Sequence, residues 1–252
     1  MLLRAWSVSA HRPTRDLDLL GRGDRTHARL ESIFADVWRL PVEDDGLELE
    51  PGSIRSEDIR EAQEYGGVRV TMTVRLANAR IPIQVDIGFG DAVTPAPAEV
   101  AYPTLLDGPA PVLLAYPPET VVAEKLQAVV TLGAANTRMK DFYDLWILAR
   151  GFSFSGETLS RAIAATFARR RTPIPGEDPY GLSPAFYDDG DKQRQWSAFL
   201  GRTGLAAQTP GFPIAGDLIR AFFAPPLHAL RGGEPFTQSQ SWLAGGPWTS
   251  AP

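Results

Sequence analysis

At 252 residues with 44% hydrophobic content, the chain can form one large domain or two small ones around a buried core. Its 25 basic against 30 acidic residues, a net charge of −5, argue against indiscriminate adhesion to nucleic acid but leave room for a local basic groove. There is no cysteine, which excludes disulfides, thiolate zinc sites and cysteine nucleophiles, and the three histidines (His11, His27, His228) are too scattered for a histidine-rich metal site. Any metal would therefore sit on carboxylates. No stretch approaches the roughly 18 apolar residues of a membrane span, and no basic region leads into an apolar run and a cleavage site. A cytoplasmic location without a membrane partner is expected.

The first informative stretch is "RPTRDLDLLGRGD", residues 12–24. If residues 14–20 form a strand, period-two geometry puts Asp16 and Asp18 on one face with Thr14, and Leu17 and Leu19 on the other. Asp24 is placed to cap a helix whose apolar residues Leu30, Ile33, Phe34, Val37 and Trp38 recur at helical spacing until Pro41. Strict alternation in Val68, Val70, Met72, Val74 and Leu76 predicts a strand, Asn78 a tight turn, and Ile81, Ile83, Val85 and Ile87 a second strand, together a hairpin. On that second strand Asp86 projects away from the core side.

Residues 92–118, rich in proline and alanine, are expected to cross the surface and end at Pro117-Pro118, where a helix starts. Val122, Leu126, Val129 and Val130 then share a helical face, "GAANTR" interrupts, and Phe142, Leu145, Trp146 and Ala149 resume a second helix. Beyond it, helical pieces at 157–169 and 191–200 flank a turn-rich segment at 172–190. The last 20 residues read as a loose tail, and there is no internal repeat.

Three acidic side chains on adjacent strands, Asp16, Asp18 and Asp86, would repel one another unless a divalent cation neutralised them. Hard oxygen ligands of this kind suit Mg2+ or Mn2+, and such sites position triphosphates. The plainer alternative for Asp16 and Asp18 is the solvated face of an edge strand, against which the third aspartate weighs. Arg12 and Arg15 suit a phosphate-facing role or a solvent-facing strand edge equally. Farther on, Lys125 falls on the polar side of its helix, followed by Arg138, Lys140, Asp141 and Asp144, the two aspartates three apart on one face. A lysine binds phosphate as a point charge and an aspartate beside it holds it in place; the alternative is a surface ion-pair cluster over a helical hairpin.

The order "RPTRDLDLLG", "YGGVRV", "QVDIGFGD" and "PPETVVAEKLQAVV…RMKDFYDL" resembles the AbiEii/AbiGii nucleotidyltransferase toxins over residues 1–150. The resemblance implies an α/β (α+β) protein with a DNA polymerase beta-like nucleotidyltransferase fold. Its core would span 1–118, a helical region completing the active site 119–232, and a tail 233–252. It assigns metal binding to Asp16, Asp18 and Asp86, gives Lys125 the role of the family's helix lysine, and makes Asp144 the second aspartate of the "DxxDL" element. Arg12, Thr14, Arg15, Lys125 and Arg138 become the nucleotide-binding residues. Two departures stand out: the spacer "TLGAANTR" is longer than the family's, and Lys140 replaces the usual arginine.

A third departure is the lack of any glycine before Gly21, where the family carries a Gly-Gly or Gly-Ser turn about ten to fifteen residues ahead of the D-x-D pair for close approach to phosphates. The expectation is that the natural start lies upstream or that this copy has lost its phosphate-cradling turn. The implied activity is transfer of a nucleotide from a nucleoside triphosphate (NTP) to an RNA acceptor, tRNA among the candidates, with release of pyrophosphate. The protein would be the toxin of a toxin–antitoxin or phage-defence pair, its antitoxin encoded nearby. The competing expectation is a degenerate, non-catalytic nucleotidyltransferase that senses nucleotide or docks a partner protein.

Overall fold

The computed structural model describes residues 2–6, 17–42, 44–59, 66–104, 108–232, 236 and 240–250. It divides into two compact units, one within Pro13–Asp91 and one within Ala92–Pro252, the second joined by residues 2–6. A four-residue helix, α1 (Leu2–Ala5), opens the chain. The architecture is mixed α/β, as expected from the alternating and helical periods.

In the first unit, β1 (Leu17–Gly21), α2 (His27–Trp38), β2 (Leu47–Leu49), β3 (Arg55–Ile59), β4 (Gly67–Leu76) and β5 (Ala79–Phe89) build one sheet and its covering helix. The strand order is β1-β5-β4-β2, with β3 also paired to β4. The expected hairpin is β4–β5, antiparallel from Val68↔Ile87 to Leu76↔Ala79. Its two-residue turn is closed by Ala77 at φ 49°, the left-handed conformation such turns require. β1 runs parallel to β5, from Leu17↔Val85 to Gly21↔Phe89.

Alternation sends Val68, Val70, Met72, Val85 and Ile87 to one face, where they are buried together with Leu30 of α2. The helix is narrower in its burial than its apolar stripe suggests. Only Leu30 is buried, while Ile33 and Val37 are exposed. Its hold on the sheet is partly polar, since Ser56 donates to Glu31 Oε1 from both its backbone N–H and its hydroxyl, at 2.9 and 2.6 Å. Asp24 does not itself cap α2. Thr26 occupies that position, and Asp24 Oδ1 accepts from its backbone N–H at 2.9 Å.

The second unit begins where a bare surface crossing was expected and instead contains a small antiparallel hairpin, β6 (Ala98–Ala101) and β7 (Val112–Ala115). Helix α3 (Pro118–Leu132) starts on its proline as the sequence indicates. There follow α4 (Met139–Gly151), β8 (Phe154–Ser155), α5 (Gly156–Arg169), α6 (Pro184–Tyr187), α7 (Gly190–Thr203) and α8 (Phe212–Gly232). Their shared core is aromatic: Phe142 stacks on Phe186 and meets Tyr187 and Phe212 edge-on, and Trp196 stacks on Phe212. Gly216 is required where α8 crosses α6, because a Cβ there would come within 2.3 Å of the Tyr187 ring.

The stretch read as a loose tail carries two strands, β9 (Gln240–Trp242) and β10 (Trp248–Ser250), which extend β8 into a three-stranded sheet. Two tryptophans drive this. Trp242 is 1% exposed and its indole N–H donates to Ala149 O at 2.6 Å, while Trp248 donates to Phe222 O at 3.0 Å and stacks on the Phe222 ring. Composition suggested looseness; burial of Trp242, partial burial of Trp248 and satisfied N–H groups on both outweigh it. Trp242→Ala should therefore destabilise the chain by about 3–5 kcal/mol in urea unfolding; a change under 1 kcal/mol would mean that the segment is not docked in solution.

Candidate active site

Two charged groups stand out, one in each unit. In the first, the parallel register sets Asp18 beside Asp86. Leu17, Val85 and Ile87 turn to the core, so both carboxylates lie on the opposite face, on strands about 4.8 Å apart. The antiparallel register sets Arg69 on the other side of Asp86, and Glu57 of β3 beyond it. One row thus runs across four strands: Asp18, Asp86, Arg69, Glu57.

Within that row Asp86 is engaged. Arg69 Nε donates to its Oδ1 and Nη2 to its Oδ2, both at 2.8 Å, and the Gln84 amide lies beside the pair. The Asp86 side chain is 17% exposed and that of Arg69 33%. A fork-on-fork pair of this kind fixes the plane of the carboxylate as well as its charge. The expected third metal ligand is therefore already matched by a cation of the chain's own.

In donor type, Asp18 and Asp86 suit a hard divalent cation. Among the described residues no three acidic or histidine side chains are grouped to hold a metal. Asp16, the remaining member of the expected set, lies outside the described residues, as do Arg12, Thr14 and Arg15.

The second group lies where α3 meets α4. Lys125 Nζ reaches Asp144 Oδ2 at 2.7 Å and Asp141 Oδ1 at 2.9 Å, so the pairing of Lys125 with Asp144 is present and a second carboxylate joins it. Arg138, at the start of α4, puts its Nε 2.7 Å from Asp141 Oδ2. The long spacer does not keep the partners apart, because it folds. Residues Gly133–Ala135 make a 3-10 turn, the buried Asn136 accepts from Arg138 N–H at 2.9 Å, and Lys192 of α7 donates to Asn136 O at 2.8 Å.

This is not a surface cluster. The Lys125 side chain is 16% exposed, and those of Asp141 and Asp144 are 3% and 4%. Burial by itself would lower the pKa of Lys125, but Asp144 and Asp141 outweigh it and hold the ammonium above its ordinary range. Burial likewise opposes ionisation of Asp141, and Lys125 with Arg138 overcomes it, leaving that carboxyl below its ordinary range. Two cations face two anions, so most of the charge on Lys125 and Arg138 is spent inside the cluster.

Sequence reasoning missed the roles of Arg69 and Asp141. The signal for Arg69 was present, since counting outward from the turn at Ala77–Asn78 pairs Arg69 with Asp86. Asp141 was seen to share a face with Asp144 without being given a partner.

The aligned Asp18 and Asp86 in one unit, and Lys125 against Asp141 and Asp144 in the other, agree with what the resemblance implied. Residues 1–217 match the family model of the nucleotidyl transferase AbiEii toxin of type IV toxin–antitoxin systems, and the chain belongs to that family. Among solved structures it is similar to a protein of Helicobacter pylori described provisionally as a nucleotidyltransferase, with 13% identity, a TM-score of 0.43, and coverage of 93% of this chain and 85% of that one. It is also similar to JHP933 of Helicobacter pylori, with 15% identity, a TM-score of 0.43, and coverage of 90% and 81%. No curated protein matches.

Removing the lysine takes a cation away from two buried carboxylates, so Lys125→Met should cost about 3–5 kcal/mol, and adding Asp141→Asn should recover part of it. The pH dependence has two edges. The contribution of Asp141, whose folded pKa lies below its unfolded value of 3.8, is present above that value and lost as pH falls through the folded one. The contribution of Lys125, whose folded pKa lies above 10.5, is present below that value and lost as pH rises through the folded one. Urea unfolding across pH should show both edges in the wild type and lose the alkaline one in Lys125→Met.

Proposed function

We propose that the chain is a cytoplasmic toxin that transfers a nucleotide from an NTP to an RNA acceptor and is restrained by a cognate antitoxin. The single observation that supports this most is the parallel register Asp18↔Asp86, which aligns two carboxylates on the open face of the sheet. Asp18, with Asp16 two positions earlier and Asp86 on the next strand, would hold Mg2+ or Mn2+. When bound, the cation neutralises phosphate charge and that of the departing pyrophosphate. The acceptor hydroxyl oxygen bonds to the α-phosphorus as the bond to the bridging oxygen of the pyrophosphate breaks. Asp86 orients the acceptor hydroxyl, whose proton passes to water as the new bond forms. Lys125 and Asp144, matched within their own cluster, serve chiefly to fix α3 against α4.

The family membership supports the reaction class and the antitoxin partner; the choice of RNA rests on the resemblance. No helix among the described residues is long and apolar enough to cross a membrane.

Incubating the full chain with each labelled NTP, Mg2+ and total cellular RNA tests this reading. Wild type should label RNA with at least one NTP, and Asp18→Asn should lose about a thousandfold of that rate while unfolding at nearly the same temperature. Label that persists in Asp18→Asn would overturn the site assignment. No label from folded wild type would leave the non-catalytic module in its place.

A further inference from the structure

We infer that Arg69 is a positioning residue that occupies Asp86 in the cation-free protein and competes with a divalent cation for that carboxylate. The inference rests on the reading of Asp18 and Asp86 as cation ligands but concerns the chain's own guanidinium. Three observations carry it. Both Asp86 oxygens are taken, each at 2.8 Å, by one guanidinium. The two backbone registers place Asp86 between Asp18 on one flank and Arg69 on the other. Arg69 is also 33% exposed, so the guanidinium can turn to solvent when it leaves the carboxylate.

Without a cation, Asp18 and Asp86 are like charges in register on neighbouring strands, an arrangement that costs stability. At Asp86 the guanidinium offsets part of that cost and holds the carboxylate plane. A cation drawing on Asp18 and Asp86 meets the same guanidinium as a like charge, and it gains Asp86 only as Arg69 yields one or both oxygens. Arg69 thereby weakens cation binding at Asp86 and stabilises the cation-free sheet, two effects that a merely structural ion pair would not join.

The test titrates Mn2+ into the full-length chain, reading free Mn2+ by its electron paramagnetic resonance signal and thermal unfolding in parallel. Arg69→Gln should bind Mn2+ about five- to tenfold more tightly than wild type, melt lower without cation, and gain more in Tm on saturation. Arg69→Lys, which keeps the charge but grips a single oxygen, should tighten binding by a smaller factor, and it decides the matter if the glutamine variant does not fold. With Asp86→Asn in the background, Arg69→Gln should have no further effect. If wild type and Asp18→Asn bind Mn2+ alike, the site reading fails and this inference with it. If binding depends on Asp18 yet neither Arg69 variant binds more tightly than wild type, the inference is overturned while the site reading stands.

Discussion

The pairing of β1 with β5 is the constraint on which the rest of the first unit depends. Because the side-chain period of a strand is two, a parallel pairing with Leu17 opposite Val85 sets the faces: Leu17, Val85 and Ile87 turn to the core, Asp18 comes out beside Asp86, and Leu19, on the core side by register, stays exposed. A slip by one residue would bury Asp18 and expose Leu17, so the apolar set enforces the register that the carboxylates could not enforce themselves. At its far end the strand is held close, since a Cβ on Gly21 would come within 2.4 Å of the Phe89 ring. The hydrophobic core thus does the aligning and the acidic face receives the result.

The two units treat charge in different ways. At the junction of α3 and α4, Lys125, Arg138, Asp141 and Asp144 balance one another, three of them largely buried, and breaking up such a set leaves an uncompensated ion in an apolar interior. That arrangement favours permanence. On the sheet, Arg69 and Asp86 meet at the same short distances, but the guanidinium is 33% exposed and can exchange its carboxylate for water more readily than a buried cation can. Similar geometry in different dielectric surroundings gives a lock in one place and an exchangeable contact in the other.

Much of this was legible in the sequence because it follows from period alone. The hairpin, the start of α3 at Pro118, the interruption at "GAANTR" and the pairing of Lys125 with Asp144 all emerge from local spacing or from the family pattern. What escaped depends on contacts distant in the chain. Trp242 is held by Ala149, 93 positions away, and no window of neighbouring residues announces that contact. Helix α8 carries Pro225 and Pro226 within its length, a pair that normally ends a helix, and it is sustained by the burial of Phe222, Phe223, Pro226 and Leu227. The stripe on α2 erred the other way, since amphipathic spacing reports the capacity for burial and only Leu30 finds enough sheet to cover it.

The docking of β9 and β10 bears on when this protein becomes complete. Ala149 O, at the end of α4, accepts from both the Trp242 indole and the Gly245 backbone N–H, at 2.6 and 3.0 Å. The last turn of α4 is therefore finished by residues made some 93 positions after it. A nascent chain that has not reached these residues leaves that carbonyl to water and the ring of Phe222 without its cover. Contacts of such sequence separation close late, so the second unit matures only after β9 and β10 have been made, and a chain interrupted before them carries the apolar surface of an unfinished unit.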